Sequence, residues 1–94
     1  MERFTVTAII DGDTFEVSPN WKWQGHTGNR IRPAGYDAPE VGQFGGASAT
    51  DKLARLILHK QVELGTAHRV DRGRLVCEVF FQGRNLAHFF RQYR

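Results

Sequence analysis

The sequence predicts an α+β fold that is mainly β: a five-stranded barrel of the OB type, with a helix between strands 3 and 4 and a short C-terminal helix. Three observations carry this. Short β-branched or alternating apolar stretches recur between glycine turns; the spacing of apolar residues becomes helical only over 47–58; and a last apolar stripe follows Gly83. Three strands, a helix, two strands and a helix, in that order within one small domain, describe such a barrel.

Each element has its own reason. Phe4–Ile10 is rich in β-branched residues with rough alternation, and Asp11-Gly12-Asp13 closes it as a turn, after which Phe15-Glu16-Val17 runs back. The stretch Ser18–Asn29, with Pro19, Asn20, Gly25 and Gly28, reads as a hairpin whose Trp21 and Trp23 cover one face. Arg30-Ile31-Arg32 is the third strand, and Pro33, lacking a ladder donor, belongs at an edge or a bulge. Ala49, Leu53, Leu56 and Ile57 recur at helical intervals within Ala47–Leu58, with Ser48 as candidate cap and Asp51 three residues on. Gln61–Leu64 and Leu75–Phe81 return to strand composition around the basic turn 71–74. Leu86, Phe89, Phe90 and Tyr93 then form the stripe of a terminal helix.

Ninety-four residues make one domain, expected to span 1–94, and a chain this short buries only about 60% of its unfolded surface, so the core is small. With 40% hydrophobic and 24% charged residues the composition is that of an ordered globular domain. A net charge of +3 favours anionic partners, although solubility alone explains Lys52, Arg55 and Arg91. Cys77, the single cysteine, lies in the apolar run Leu75–Phe81, which points to a small buried hydrophobe rather than a reactive thiol and excludes an internal disulfide. No apolar run is long enough to span a bilayer, and strand pattern begins too early for a secretory leader. The chain as written is expected to be cytoplasmic, or secreted or periplasmic if a signal has been removed. A monomer is expected, with self-association through the C-terminal stripe as the alternative.

The segment Arg30–Glu40 (Arg-Ile-Arg-Pro-Ala-Gly-Tyr-Asp-Ala-Pro-Glu) carries two guanidinium groups and two carboxylates beside a glycine and two prolines, a mixture a plain core strand has no reason to hold. The mixture recurs at Asp11-Gly12-Asp13-Thr14 and at Asp71-Arg72-Gly73-Arg74. Asp13 and Asp37, from different loops, can offer hard oxygens to Ca²⁺, with carbonyls and waters completing its six to eight positions. An Asx turn explains Asp13 equally well when that motif is taken alone; Asp37 and Glu40 flanking Pro39 shift the balance toward metal chemistry. Arginine forks meet two phosphate oxygens at once and stay charged at any working pH, so Arg32 and Arg74 suit a phosphodiester, with surface ion pairing as the competing explanation. His26, His59, His68 and His88 lack metal-ligand spacing and read as loop or surface residues.

Taken together, Ile9-Ile10-Asp11-Gly12-Asp13-Thr14-Phe15, Arg30-Ile31-Arg32-x-x-Gly35-Tyr36-Asp37-Ala38-Pro39-Glu40, Asp71-Arg72-Gly73-Arg74-Leu75 and Gly83-Arg84-Asn85-Leu86 resemble the staphylococcal nuclease family, in order and over nearly the whole chain. The resemblance implies a calcium-dependent nuclease that hydrolyses DNA, RNA or both with water. It implies Asp13, Asp37 and the carbonyl of Ala38 as metal ligands, Arg32 and Arg74 as phosphate clamps, and Glu40 as the group that activates or orients the water. Asp11 and Thr14 are expected to support the ligands by hydrogen bonding rather than to bind the ion. The turn before Arg74 is one residue shorter than the family's Asp-x-Tyr-Gly-Arg, and the sequence stops at Arg94, before the segment that supplies nucleotide-contacting tyrosines in the family. Substrate grip is therefore expected to be reduced, with Tyr36, Trp21 and Trp23 as candidate replacements. A non-catalytic OB module that binds nucleic acid is the alternative.

Overall fold

The computed structural model describes residues 2–94. Five strands close into a barrel: β1 (Arg3–Asp11), β2 (Thr14–Trp23), β3 (His26–Pro33), β4 (Gln61–Asp71) and β5 (Arg74–Phe81), with a two-residue β6 (Arg84–Asn85) added beside β5. The sheet runs β3-β2-β1-β4-β5-β6, and β3 also pairs with β5 in parallel, which closes the cylinder. Helix α1 (Gly46–Ile57) lies between β3 and β4, and a 3₁₀ segment η1 (Leu86–Tyr93) follows β6. The α+β, mainly β barrel expected from the sequence is the fold observed.

Three of the turns are two residues long and share one solution. Gln24-Gly25, Arg72-Gly73 and Gln82-Gly83 all have positive φ at both positions, the conformation that matches the twist of tight antiparallel hairpins. The basic turn 72–73 is thus a hairpin connection first of all, and it sets the direction in which Arg74 enters β5.

The elements differ from their predicted bounds for local reasons. β2 and β3 extend through the 18–29 stretch, so the hairpin predicted there is the outer end of both strands. Pro33 ends β3 beyond its last pairing with β2 at Ile31, so that side of it is an edge; on the other side it lies opposite Cys77 in the closing parallel pair, where the ladder continues through the Ala34 N–H to the Cys77 carbonyl at 2.8 Å. Helix α1 starts at Gly46, and its cap is Gly45 at φ 82°, without a side-chain cap bond; Ser48 lies inside the helix and does not cap it. β4 runs well past Leu64, accommodating Gly65 and Thr66 by register shifts against β5 between Leu64 and Arg69. The terminal stripe forms a 3₁₀ segment kinked at Phe90 (φ −126°, ψ 40°) rather than a regular helix.

That stripe is not an exposed patch. Phe90 is fully buried and stacks on Tyr36 (4.6 Å, 7°), and Phe89 and Tyr93 are half-buried against the same core. The premise for self-association through Phe89, Phe90 and Tyr93 is thereby removed. Inside the barrel Val6, Phe15, Ile31, Leu53, Ile57 and Val79 are inaccessible to solvent. Cys77 is there with them, its thiol pushed up to about 12 chiefly by burial, which suits an inert packing residue. Among the described residues no helix is long and apolar enough to cross a membrane.

Candidate active site

The site is built where the β1–β2 turn, the end of β3 and the segment leading to α1 meet. Asp11 Oδ1 accepts the Asp13 N–H at 3.1 Å, an Asx-type bond that tightens the turn. Gly12 is required by space: a Cβ there would come within 2.7 Å of the Ala49 Cβ and 2.8 Å of the Ala38 Cβ. The turn is therefore wedged between α1 and the 36–40 segment. Tyr36 locks it from below, its hydroxyl donating to the Gly12 carbonyl at 2.8 Å while its ring stacks on Phe90. We expect Tyr36→Phe to cost about 1–2 kcal/mol, the range for a buried hydrogen bond lost with its acceptor left in place, read from urea unfolding midpoints.

Asp13 is driven inward by this arrangement and is 6% exposed. Its Oδ2 accepts the Ala38 N–H at 3.0 Å, and the Thr14 hydroxyl lies 3.5 Å from Oδ1. Burial, reinforced by the hydrogen bond with Asp11, raises its carboxyl from 3.8 to about 6, against the opposing pull of Arg32 and the Ala38 N–H. The structure thus keeps a carboxyl at a point where its charge is costly, unless a cation shares the position.

Arg32 supplies positive charge at that point. On β3 it alternates with the buried Ile31 and Pro33 and so projects from the outer face of the closing strand pair. Its Nη1 donates to the carbonyls of Pro33 and Tyr36, both at 2.9 Å. Its Nη2 pairs with Asp37 and lies 3.5 Å from Asp13 Oδ2. One nitrogen therefore marks where the two carboxylates converge. Asp37, its side chain 84% exposed, is free to turn between Arg32 and another cation. Arg74 joins from β5: Nη1 donates to the Thr14 hydroxyl at 3.1 Å and Nη2 to Asp71 at 3.2 Å. A chain of contacts runs Arg74, Thr14, Asp13, Arg32, Asp37.

Beside Arg32 an open cleft of about 530 Å³ is lined by Gly35, Asp37, His68, Arg69 and Tyr93 among others, so a polyanion approaching Arg32 meets a second guanidinium. Glu40 is exposed; its N–H donates to Gln43 Oε1 at 3.0 Å, and among the described residues its carboxylate forms no ion pair or hydrogen bond. The aromatic candidates divide. Tyr36 and Trp21 are 5% and 2% exposed, and Trp21 donates its indole N–H to the Arg30 carbonyl at 2.9 Å. Neither offers a face to a base, because core packing and a buried polar partner have claimed both rings. Trp23 is half-buried at the outer end of the β2–β3 hairpin.

Phe44 was missed by the reading of motifs. It stands fully exposed between Gly42 and Gly45, outside both the strand alternation and the helical stripe; an aromatic among glycines with no periodic partner was the available signal.

Among the described residues no cluster of three or more acidic, histidine or cysteine side chains forms a ready-made metal cage. The donor chemistry nevertheless fits a hard cation: two carboxylates converge on one position already held by a positive group, one of them buried and the other open to solvent.

No protein-family model matches the chain. It is 39% identical over 79 residues to a micrococcal nuclease of Shigella flexneri, an overlap covering 83% of this chain and 42% of that protein, so the chain spans less than half the relative's length. That similarity, over a barrel with its helix between the third and fourth strands, bears out the resemblance to the staphylococcal nuclease family drawn from the motifs.

Proposed function

We propose that residues 1–94 form a single domain that hydrolyses phosphodiester bonds of DNA, RNA or both, acting as a monomer with Ca²⁺ as its cofactor. The observation that carries this reading is the joining of Arg32 and Arg74 to a pair of carboxylates through one run of contacts, at the mouth of an open basic cleft. The relative's name, micrococcal nuclease, supports the same reaction class. Asp13 and Asp37 would hold the ion, with the Ala38 carbonyl and waters completing its shell; when bound, the ion supplies charge stabilisation at the reacting phosphate.

The remaining chemistry belongs to side chains. Arg32 keeps its Nη1 on two backbone carbonyls, which fixes the guanidinium plane; its Nε, joined by Nη2 once the exposed Asp37 turns from it to the ion, would meet phosphate oxygens as negative charge builds on them. Arg74 answers the same charge from the opposite strand, held by Thr14 and Asp71. Glu40, whose carboxylate has no hydrogen-bond or ion-pair partner among the described residues, takes a proton from the attacking water as its oxygen bonds to phosphorus and the ester oxygen departs. Asp11 and Thr14 act on the acids rather than on the substrate, by orienting Asp13.

The test is incubation of single-stranded DNA and RNA with Ca²⁺, with Mg²⁺ and with chelator, read on a gel. Cleavage with Ca²⁺, weaker cleavage with Mg²⁺ because of its stricter octahedral demand, and none in chelator are expected. Full activity in chelator would remove the metal assignment. Binding without cleavage under any divalent ion would instead identify a non-catalytic OB module.

A further inference from the structure

We propose that Phe44 is a stacking platform for a base of the bound strand, next to the phosphate gripped by the arginines; this rests on nucleic acid being the substrate. Phe44 is as exposed as a phenylalanine can be, at 103% of the reference, while every other phenylalanine of the chain is buried or half-buried. An exposed aromatic on a loose loop would say little, but this loop is tied at its base. The Gln43 N–H donates to the Glu40 carbonyl at 3.0 Å and the Gly46 N–H to the Gln43 carbonyl at 2.9 Å. The Gln43 side chain returns to the Glu40 N–H at 3.0 Å. Gly42 and Gly45 adopt φ 99° and 82°, and a Cβ on Gly46 would overlap the Glu40 carbonyl at 1.8 Å, so residues 40 and 46 are held in contact with Phe44 between them. The ring is presented by an ordered turn.

Its position follows from the same contacts. The turn begins at Glu40, three residues after Asp37, and is followed by α1, whose Ala49 packs on Gly12 beside Asp13. With Glu40 serving the attacking water, as proposed above, the bound strand would pass the base of this loop. The alternative occupant, a second copy of the chain, would need roughly 800 Å² on each partner for a stable interface. Among the described residues the turn offers only Phe44 and the partly exposed Val41 as large apolar groups. A single planar ring fits one base face, and such stacking tolerates any base.

The test uses two fluorescently labelled single strands of equal length, one of deoxythymidines and one abasic, titrated in chelator so that neither is cut. Phe44→Ala is expected to weaken binding of the thymidine strand roughly tenfold while leaving the abasic strand unchanged, and Phe44→Trp to restore it. Melting temperatures should match the parent, since the ring packs on nothing. Equal loss on both strands, or none on either, would overturn the proposal while leaving the nuclease reading intact. Loss of self-association in sedimentation on Phe44→Ala would overturn it in favour of a second copy. Failure of the unmodified domain to bind either strand would overturn the platform, whereas the nuclease reading stands or falls on the cleavage test with Ca²⁺.

Discussion

Replacing Arg32 by lysine is expected to slow phosphodiester hydrolysis by roughly two orders of magnitude or more, the effect of losing one preorganised donor to developing negative charge. The substitution keeps the charge and removes the geometry. Arg32 holds its plane by donating from Nη1 to the Pro33 and Tyr36 carbonyls while Nη2 faces Asp13 and Asp37. A lysine ammonium on a flexible stem cannot span both sets of partners, so it would engage either the carbonyls or the acids. The same contacts imply a second consequence. The two carbonyls lose a donor, so the 33–37 turn should loosen and thermal stability fall modestly while far-UV circular dichroism still reports the barrel. The measurement is single-turnover cleavage of a labelled strand at saturating Ca²⁺, which separates the chemical step from binding. An unchanged rate would reduce Arg32 to a structural tie for its turn. Arg74→Lys should act in the same direction, since Arg74 likewise divides its donors between Thr14 and Asp71.

Asp13→Asn should have opposite effects on stability and on response to calcium. In the folded protein without metal, burial and the Asp11 side chain raise the Asp13 carboxyl to about 6 from 3.8, so the folded state holds a proton there that the unfolded state releases more readily. The associated stability is fully present below about pH 4 and is lost as pH rises through about 6. At pH 8 in chelator the parent therefore carries a buried charge worth on the order of 1–3 kcal/mol of destabilisation. The neutral amide avoids it: its oxygen can still accept the Ala38 N–H, and Arg32 keeps Asp37. We expect the variant to melt higher than the parent at pH 8 in chelator, by roughly 4–8 °C for each kcal/mol gained, and to show little difference from it at pH 4. Ca²⁺ should then raise the melting temperature of the parent and not of the variant. A calcium-induced rise that survives Asp13→Asn would place the ion elsewhere.

What the sequence determined by itself is local in origin. Alternation of β-branched residues identified the inner parts of the barrel strands, the period change at 47–58 identified α1, and glycine-bearing stretches identified turns without fixing their two central residues, because each depends on neighbours a few residues away. The acidic and arginine-rich motifs were legible for a related reason: charged groups crowded beside glycine and proline conflict with the needs of a plain strand. Tertiary structure alone decided the rest. Parallel closure of β3 on β5 put Arg32 and Arg74 on one outer face, and no local pattern encodes the pairing of segments that far apart. Close packing of Gly12 against Ala38 and Ala49 pressed Asp13 into a buried position and gave it an altered affinity for protons. Tyr36 and Trp21 looked like free aromatics in sequence and became core, since a ring's exposure depends on what the fold stacks over it. Phe44 is the reverse case: its glycine neighbours marked it only as an aromatic outside any periodic pattern, and it stands out from the surface because those glycines close a turn that leaves its ring exposed.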